Sequence, residues 1–345
     1  MAAVNINDIA KVANVSRATV SRVLNNSPEV SETTKQKVLK VIEELNYVPN
    51  AAARTLVRRK TDIIGVLVNN VADAFWGRII RGIETNILKT RYNAIFVNCK
   101  TALDDWAYKP KFKENIRLLT EGRVDGIIIA TTNELEQEDI EFLTDRNIPF
   151  VVIQDMLQDK RVNFVNIDNF KGAYTATKYL INLGHRDIVH ITGPLESRIA
   201  VERSQGFEKA LLDHGIPLNN QNILRGNFRY NDGYWRMKQI LSWGRKPTAI
   251  FFGNDLMAYG GMQAAKEANV RIPEDMSIIG FDGLAGEFEF AGLMPPLTTM
   301  HQPMIKIGEC AAQIIIDKID GVSEEVQHIF FDVELIKRDS CRSLK

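Results

Sequence analysis

An all-α head of three short helices, joined by a hinge helix to an α/β body of two lobes with parallel sheets, is the architecture this sequence predicts. Three observations carry the expectation. Helical apolar spacing fills the chain up to Leu45, the basic charge is concentrated in the first 60 residues, and beyond Thr61 buried-strand runs alternate with amphipathic stretches. At 345 residues the chain is also too long for one small core.

In the head, Asn5 caps a first helix whose Ile6, Ile9, Ala10 and Ala13 fall on one face. Asn14-Val15 makes a tight turn, since asparagine enters the left-handed region at little cost. Ser16 caps a second helix with Val20, Val23 and Leu24 inward and Arg17, Ala18, Thr19, Ser21 and Arg22 outward. After Asn25-Asn26-Ser27-Pro28, Ser31 caps a third helix with Val38, Val41, Ile42 and Leu45 as its apolar stripe. Two helices joined by a tight turn within about 20 residues are the helix-turn-helix signature. A small amphipathic bundle with a solvated face has the same spacing. What separates the two is the outer face of the second helix, where arginines stand among short hydroxyl side chains suited to phosphates and base edges. Asn50 starts a fourth stretch, Ala51 to Val57, of only about two turns, marginal alone in water and expected to fold on a partner.

Lysines plus arginines equal aspartates plus glutamates over the whole chain, 43 each. The balance hides an asymmetry: residues 1–60 hold ten basic against five acidic residues, a net of +5 that leaves −5 on the remainder. A basic head on an acidic body confines phosphate contact to the head.

The body reads as two series of strands. The first is Ile63 to Val68, Ala94 to Val97, Gly126 to Ile129 and Phe150 to Ile153; the second is Phe164 to Ile167, Ile188 to Ile191, Ala249 to Phe252 and Ser277 to Phe281. Helical stretches between them imply βαβ units. Ligands bind open parallel sheets beyond the carboxyl ends of the strands. The residues there are Asp73, Phe75 and Trp76 after the first strand, Gln154 and Asp155 after the fourth, Asn254 and Asp255 after the seventh, and Asp282 after the eighth, with Arg203 and Phe228 in the intervening segments. Carboxylates, amides, an arginine fork and aromatic faces suit a neutral polyol such as a sugar. Each has a plainer role as well: Asp255 as a helix cap, Arg203 as the partner of Asp282, and Phe75 or Trp76 as core.

The head is similar to the DNA-binding segment of the lactose-repressor (LacI/GalR) family of bacterial transcription regulators. The resemblance rests on Asp8-Ile9-Ala10, Val15-Ser16, Thr19-Val20-Ser21-Arg22-Val23-Leu24-Asn25 and Tyr47-Val48-Pro49-Asn50-Ala51-Ala52-Ala53-Arg54. It implies that Arg17, Ala18 and Arg22 read base edges and that Ser16, Thr19, Asn25, Ser31, Thr34 and Asn50 position phosphates. Leu56 would be a minor-groove wedge, with Ala53 on the same surface; ordinary helix packing is its other reading. Asn5 and Asn14 stand where the family more often has Thr or Ser and Gly, and both keep the capping and turn behaviour needed.

The resemblance extends to about Arg338 and implies a periplasmic-binding-protein-like body with ligand between the lobes. It divides the chain into a helix-turn-helix domain (1–49), a hinge helix and linker (50–60) and an effector-binding and dimerisation domain (61–345). Lobe 1 is expected at about 61–162 plus 297–323, and lobe 2 at about 163–296 plus 324–340. Arg203, Asn254 and Asp282 match polar effector contacts and Phe228 an aromatic wall. Asp73-Ala74-Phe75-Trp76 departs from the family's Asn-Pro-Phe-Phe.

Other classes fit less well. No GxSxG, HExxH, Walker A or GxGxxG occurs, the five histidines are scattered, and His190 lies in an apolar strand run, so no enzymatic activity and no cofactor are expected. Cys99, Cys310 and Cys341 form no CxxC pair, which leaves no metal site. No apolar run approaches the roughly 20 residues that span a bilayer, and the N-terminus lacks a signal peptide's features, so a cytoplasmic location is expected. A transporter's solute-binding protein would need such a leader and has no use for residues 1–60. The remaining alternative keeps the DNA head with a purine or sugar phosphate as effector, although phosphate would want more basic residues than Arg203. The expected partners are pseudo-palindromic operator DNA, a small sugar and a second copy of the chain. No apolar heptad follows Leu335, which favours a homodimer over a tetramer.

Overall fold

The computed structural model describes residues 4–24, 27–47, 60–99, 110–131, 135–154, 159–219, 221–284 and 294–345. They fall into two units, Met1–Thr61 and Asp62–Lys345. Asn25, Asn50, Ala53, Leu56, Asp155 and the expected hinge helix lie outside the described residues.

The head contains α1 (Ile6–Val12), α2 (Arg17–Leu24) and α3 (Glu32–Glu44). Asn5 and Asp8 close a reciprocal cap on α1, with the Asn7 amide donating to Asn5 Oδ1 at 2.9 Å and the Asn5 amide to Asp8 Oδ2 at 2.9 Å. Asn14 takes the left-handed conformation (φ 50°) in the turn. Ile9, Ala13, Val20 and Val38 are fully buried, and Ile6, Leu24, Ile42 and Leu45 pack around them half-buried.

All eight strands expected from the sequence are present, with four more. The body runs β1 (Ile63–Val68), α4 (Ala74–Ile87), β2 (Asn93–Asn98), α5 (Pro110–Thr120), β3 (Gly126–Ala130), α6 (Gln137–Asp145), β4 (Phe150–Ile153), β5 (Asn163–Ile167) and α7 (Asn169–Asn182). It continues β6 (Ile188–Ile191), α8 (Arg198–Asp213), β7 (Ile223–Leu224), α9 (Tyr230–Leu241), β8 (Ala249–Phe252), α10 (Asp255–Glu267), β9 (Ser277–Asp282), β10 (Thr298–His301), α11 (Met304–Asp320), β11 (His328–Phe331) and β12 (Glu334–Ile336). One sheet has the order β11-β5-β4-β3-β1-β2 and the other β12-β10-β9-β8-β6-β7. Every pairing is parallel except β10 with β12.

The lobe boundaries differ from expectation. Phe164 to Ile167 does not open the second lobe: β5 pairs with β4, Phe164 beside Val152, and lies in the first sheet between β4 and β11. Phe164 belongs to the apolar cluster of Phe150, Ile140 and Leu143, which fixes its side of the crossing. Nor does the stretch 297–323 return as a whole to the first lobe, because β10 pairs with β9 and only α11 packs on β3, β4 and β5. Of Ile329 to Leu335, β11 joins the first sheet and β12 the second. The chain therefore crosses between the lobes after β5, after β10 and between β11 and β12.

Helices α4 and α11 meet backbone to backbone. A Cβ on Gly82 would lie 2.1 Å from the Ile305 carbonyl oxygen, and one on Gly308 2.1 Å from that of Ile79. Asn86 Nδ2 adds bonds to the Glu309 carbonyl (3.1 Å) and Gln313 Oε1 (3.3 Å). In the second sheet His190 is fully buried between Phe251, stacked at 4.5 Å, and Phe207, and its Nδ1 donates to the Phe251 carbonyl at 2.9 Å. Burial pushes its pKa down to about 4, against the pull of that carbonyl and with Arg203 lowering it further.

Two consequences can be measured. Gly82→Ala should overpack the α4–α11 crossing and cost about 1 to 3 kcal/mol in urea unfolding; unchanged stability would mean the helices separate freely. For His190, the unfolded ring takes a proton near pH 6.5 while the folded ring resists to about 4, so its contribution is intact above pH 6.5 and declines as pH falls. From pH 7 to 5 this amounts to about 2 kcal/mol. His190→Gln should show a correspondingly shallower acid decline, and parallel curves would contradict it.

Candidate functional site

The outer face of α2 carries the residues expected to read DNA. Arg17, Ala18 and Arg22 are exposed, and α2 begins at Ser16, whose Oγ accepts the Thr19 amide at 3.0 Å and lies 2.9 Å from the Thr19 hydroxyl. Ser31 caps α3 in the same manner, with Thr34 Oγ1 2.9 Å away. Hydroxyls held at two helix N-termini beside backbone N–H groups are suited to phosphate oxygens. Arg22 Nε is 3.2 Å from the Glu29 carboxylate. Both side chains are mostly exposed, so the pair is weak and readily exchanged for a base.

In the body, the carboxyl ends of the two sheets gather most of the residues expected at a ligand site. Arg203 projects from α8 and is almost wholly buried. Its Nε donates to Asn169 Oδ1 (3.0 Å), its Nη1 donates to the Gly253 carbonyl and stands 3.7 Å from Asp282 Oδ1, and its plane lies 3.7 Å from the Phe281 ring centroid. Asp282 Oδ1 accepts from Gln302 Nε2 at 2.7 Å, and Gln302 Oε1 accepts from Gln154 Nε2 at 3.1 Å. A continuous polar chain thus joins Gln154 of the first lobe, Gln302 at the second crossing, and Asp282 and Arg203 of the second lobe. Neither Arg203 Nη2 nor Asp282 Oδ2 has a hydrogen-bond partner among the described residues.

The electrostatics are acidic. Burial raises the Asp282 carboxyl well above the usual carboxylate range; Arg203 and Gln302 oppose this, while Asp255 and Asp73 reinforce it. Burial likewise raises Asp73, against the Phe75 and Trp76 amides, and raises Asp255. Burial lowers the Arg203 guanidinium to about 10, which leaves it charged at neutral pH. The carboxyl groups that act on the Arg203 guanidinium are those of Asp282, Asp255 and Glu202, and three acids beside one cation disfavour a phosphorylated ligand and suit a neutral one.

Phe228 lies half-buried with φ 64°, against Gly193, where a Cβ would approach the ring to 2.0 Å, and with the Arg203 guanidinium 5.9 Å from its centroid. Gln154 (φ 61°) and Asp282 (φ 128°) also have positive φ. Such conformations cost on the order of 1 kcal/mol or more each and persist only where the surroundings impose them.

Several expected site residues have other duties. Asn254 Oδ1 caps α10 by accepting the Met257 amide (3.0 Å), and its Nδ2 donates to the Phe228 carbonyl (3.0 Å), so Asn254 shapes the aromatic wall. Asp255 does not cap α10: fully buried, it accepts the Gly283 (2.9 Å) and Leu284 (2.7 Å) amides and the Thr299 hydroxyl (2.6 Å). Trp76 is 3% exposed and belongs to the core, edge-on to the half-buried Phe75. Asp73 caps α4 through the Phe75 amide at 2.8 Å. Gln302 and Asn169 were missed. Both follow strands at crossings, and the strand-end rule reaches them only once β10 is recognised as a strand and β5 as part of the first sheet.

Among the described residues no group of side chains could hold a metal, and no helix is long and apolar enough to cross a membrane. A family profile described as "Bacterial regulatory proteins, lacI family" matches residues 5–50, and one described as "Periplasmic binding proteins and sugar binding domain of LacI family" matches residues 61–339. An HTH-type transcriptional repressor PurR from Vibrio vulnificus is 36% identical over 340 residues, 98% of this chain and 99% of that protein. Its counterpart from Photorhabdus laumondii is 38% identical over 339 residues, 97% and 96% of the two chains. Among solved structures, the lac repressor dimer bound to operator and the anti-inducer ONPF matches with a TM-score of 0.84 at 26% identity, covering 99% of this chain and 100% of that one. A complex of the transcriptional regulator CelR with cellobiose matches at 0.71 and 28%, covering 98% and 99%. A ribose-bound LacI family regulator from Enterococcus faecium matches at 0.71 and 30%, covering 82% and 100%. Matched in both head and body, and more than a third identical to full-length repressors, the chain belongs to the LacI family and is a DNA-binding transcriptional repressor, not an enzyme.

Proposed function

We propose that the protein represses transcription as a cytoplasmic homodimer on a pseudo-palindromic operator, and that a small neutral molecule between the two lobes controls its grip. Arg17, Ala18 and Arg22 read bases in each half-site. Ser16, Thr19, Asn25, Ser31, Thr34 and Asn50 hold phosphates, and Ala53 and Leu56 enter the minor groove. Two symmetric heads double the contacts on a palindrome. Ligand binding rotates one lobe against the other about the three crossings.

The observation that carries the ligand reading is a pair of groups at the cleft with no hydrogen-bond partner among the described residues, Arg203 Nη2 as donor and Asp282 Oδ2 as acceptor, with the Arg203 guanidinium 5.9 Å from the Phe228 ring centroid. A purine presents a flat face for stacking and an edge on which donor and acceptor alternate. The likeness to PurR repressors over 98% of the chain supports this class. A sugar, the effector expected from the sequence, satisfies the same pair through vicinal hydroxyls; it is the second reading, supported by the cellobiose- and ribose-bound relatives. The excess of carboxyl groups weighs against a sugar phosphate.

Arg22→Ala should lose roughly 1 to 3 kcal/mol on operator DNA and relax specificity at one base pair of each half-site. Lys37→Ala should weaken operator and random duplexes alike; an equal loss on both for Arg22→Ala would remove that residue from base reading. Thermal-shift screening against purine bases and sugars should identify a stabilising ligand. Asp282→Ala should abolish its shift, and an undiminished shift would place the ligand elsewhere.

A further inference from the structure

At the opposite end of the first lobe, where the body receives the linker, five side chains meet that ligand recognition leaves unused. Asp62, the first residue of the body, has a left-handed backbone (φ 54°). Its amide donates to Asp125 Oδ2 at 2.8 Å, its carbonyl accepts from the Asn93 amide at 2.9 Å, and its Oδ1 accepts from Arg91 Nε at 3.3 Å. Arg91 Nη2 reaches on to Asp320 Oδ1 and to the Tyr92 hydroxyl (2.7 Å), and that hydroxyl donates to the same Asp320 oxygen at 2.6 Å. Tyr92 is 3% exposed, so its ring is an immobile post for the two charged partners.

Asp320 is the last residue of α11, which is in backbone contact with α4 through Gly82 and Gly308 and bonded to it through Asn86. The N-cap of α4 is Asp73, and one turn on Arg78 Nη1 donates to the carbonyl of Gly283, the residue after Asp282, at 2.9 Å. Fourteen residues of helix span about 21 Å. Two helices without side chains between them at the crossing cannot slide independently, so a displacement at the Asp73 end reaches Asp320 as a rigid-body motion.

We infer that the Asp320–Arg91–Asp62 clamp, seated on Tyr92, is the positioning device that ties the linker's point of entry to helix α11 and so passes the state of the cleft to the DNA-binding segment. Exposed ion pairs of this kind add little to stability. Their effect is geometric: with the Asp125 carboxylate and the Asn93 amide they fix the orientation of Asp62, whose left-handed backbone is one that aspartate adopts at little cost. The inference rests on a ligand in the cleft governing operator affinity, and the experiment separates the two.

The test uses the full chain and a duplex enriched by the wild-type protein from a random DNA pool, with guanine and ribose as probe ligands. Asp320→Asn and Arg91→Ala should bind the active probe within about twofold of wild type. The factor by which that probe alters operator affinity, about 5- to 150-fold for typical coupling, should fall below about threefold, and Asp320→Glu should restore most of it. Amide exchange without ligand gives an independent measure: Asp62, Ile63 and Asn93 should exchange at least about tenfold faster in Asp320→Asn, with the second sheet unaffected. A coupling factor within twofold of wild type in both variants would overturn the clamp. If neither probe alters wild-type operator affinity, the ligand reading fails, and unchanged exchange at Asp62 would then overturn the clamp by itself.

Discussion

A guanidinium almost wholly removed from water must be surrounded by acceptors, and the carboxyl end of the second lobe is organised around that need at Arg203. Burying such a charge without partners would cost several kcal/mol. Asn169, brought in from the first crossing, the Gly253 carbonyl and Asp282 supply acceptors, and the Phe281 ring covers the guanidinium plane. Asp282 in turn requires donors, and Gln302 and then Gln154 continue the chain into the first lobe. One buried charge thereby connects two sheets that share no strand.

The same need explains why the site is strained and incomplete. Phe228, Gln154 and Asp282 have unfavourable backbone angles because the hydrogen-bonded chain and the packing on Gly193 hold them there. Two polar groups have no partner among the described residues, and a ligand can supply one to each. Asp255 does the opposite. Its carboxylate accepts from Gly283, Leu284 and Thr299, so it ties the two residues that follow β9 to β10 and keeps Asp282 in place. Arg78 Nη1, from α4 of the first lobe, reaches the Gly283 carbonyl at 2.9 Å, so this loop is also touched from across the cleft.

The head was legible almost completely, because its information is local. Asn5, Ser16 and Ser31 cap helices through bonds to residues two or three positions on, and Asn14 turns the chain through its own backbone preference. The strands of the body were legible for a similar reason: runs such as Gly126 to Ala130 and Phe150 to Ile153 are buried on both faces and read as continuous apolar segments. The strand ends were legible, whereas the partners of the side chains there were not. Asn254, Asp255 and Trp76 are found at the cleft end or on the helix leading from it, yet their side chains serve the backbone or the core.

Composition, periodicity and capping by themselves determined that this chain has a basic three-helix head, a two-lobed α/β body and polar residues at strand ends, since each depends on neighbours a few positions apart. Only the tertiary structure decided that β5 belongs to the first sheet, that β10 and β12 belong to the second, that Gln302 and Asn169 join the site, and that Gly82 and Gly308 bring two helices into contact. Those outcomes depend on partners 80 to 230 positions away in places, as Asn86 and Gln313 are. Spacing along the chain shows that a strand exists, whereas the choice of the strand beside it is made by which apolar surfaces fit together.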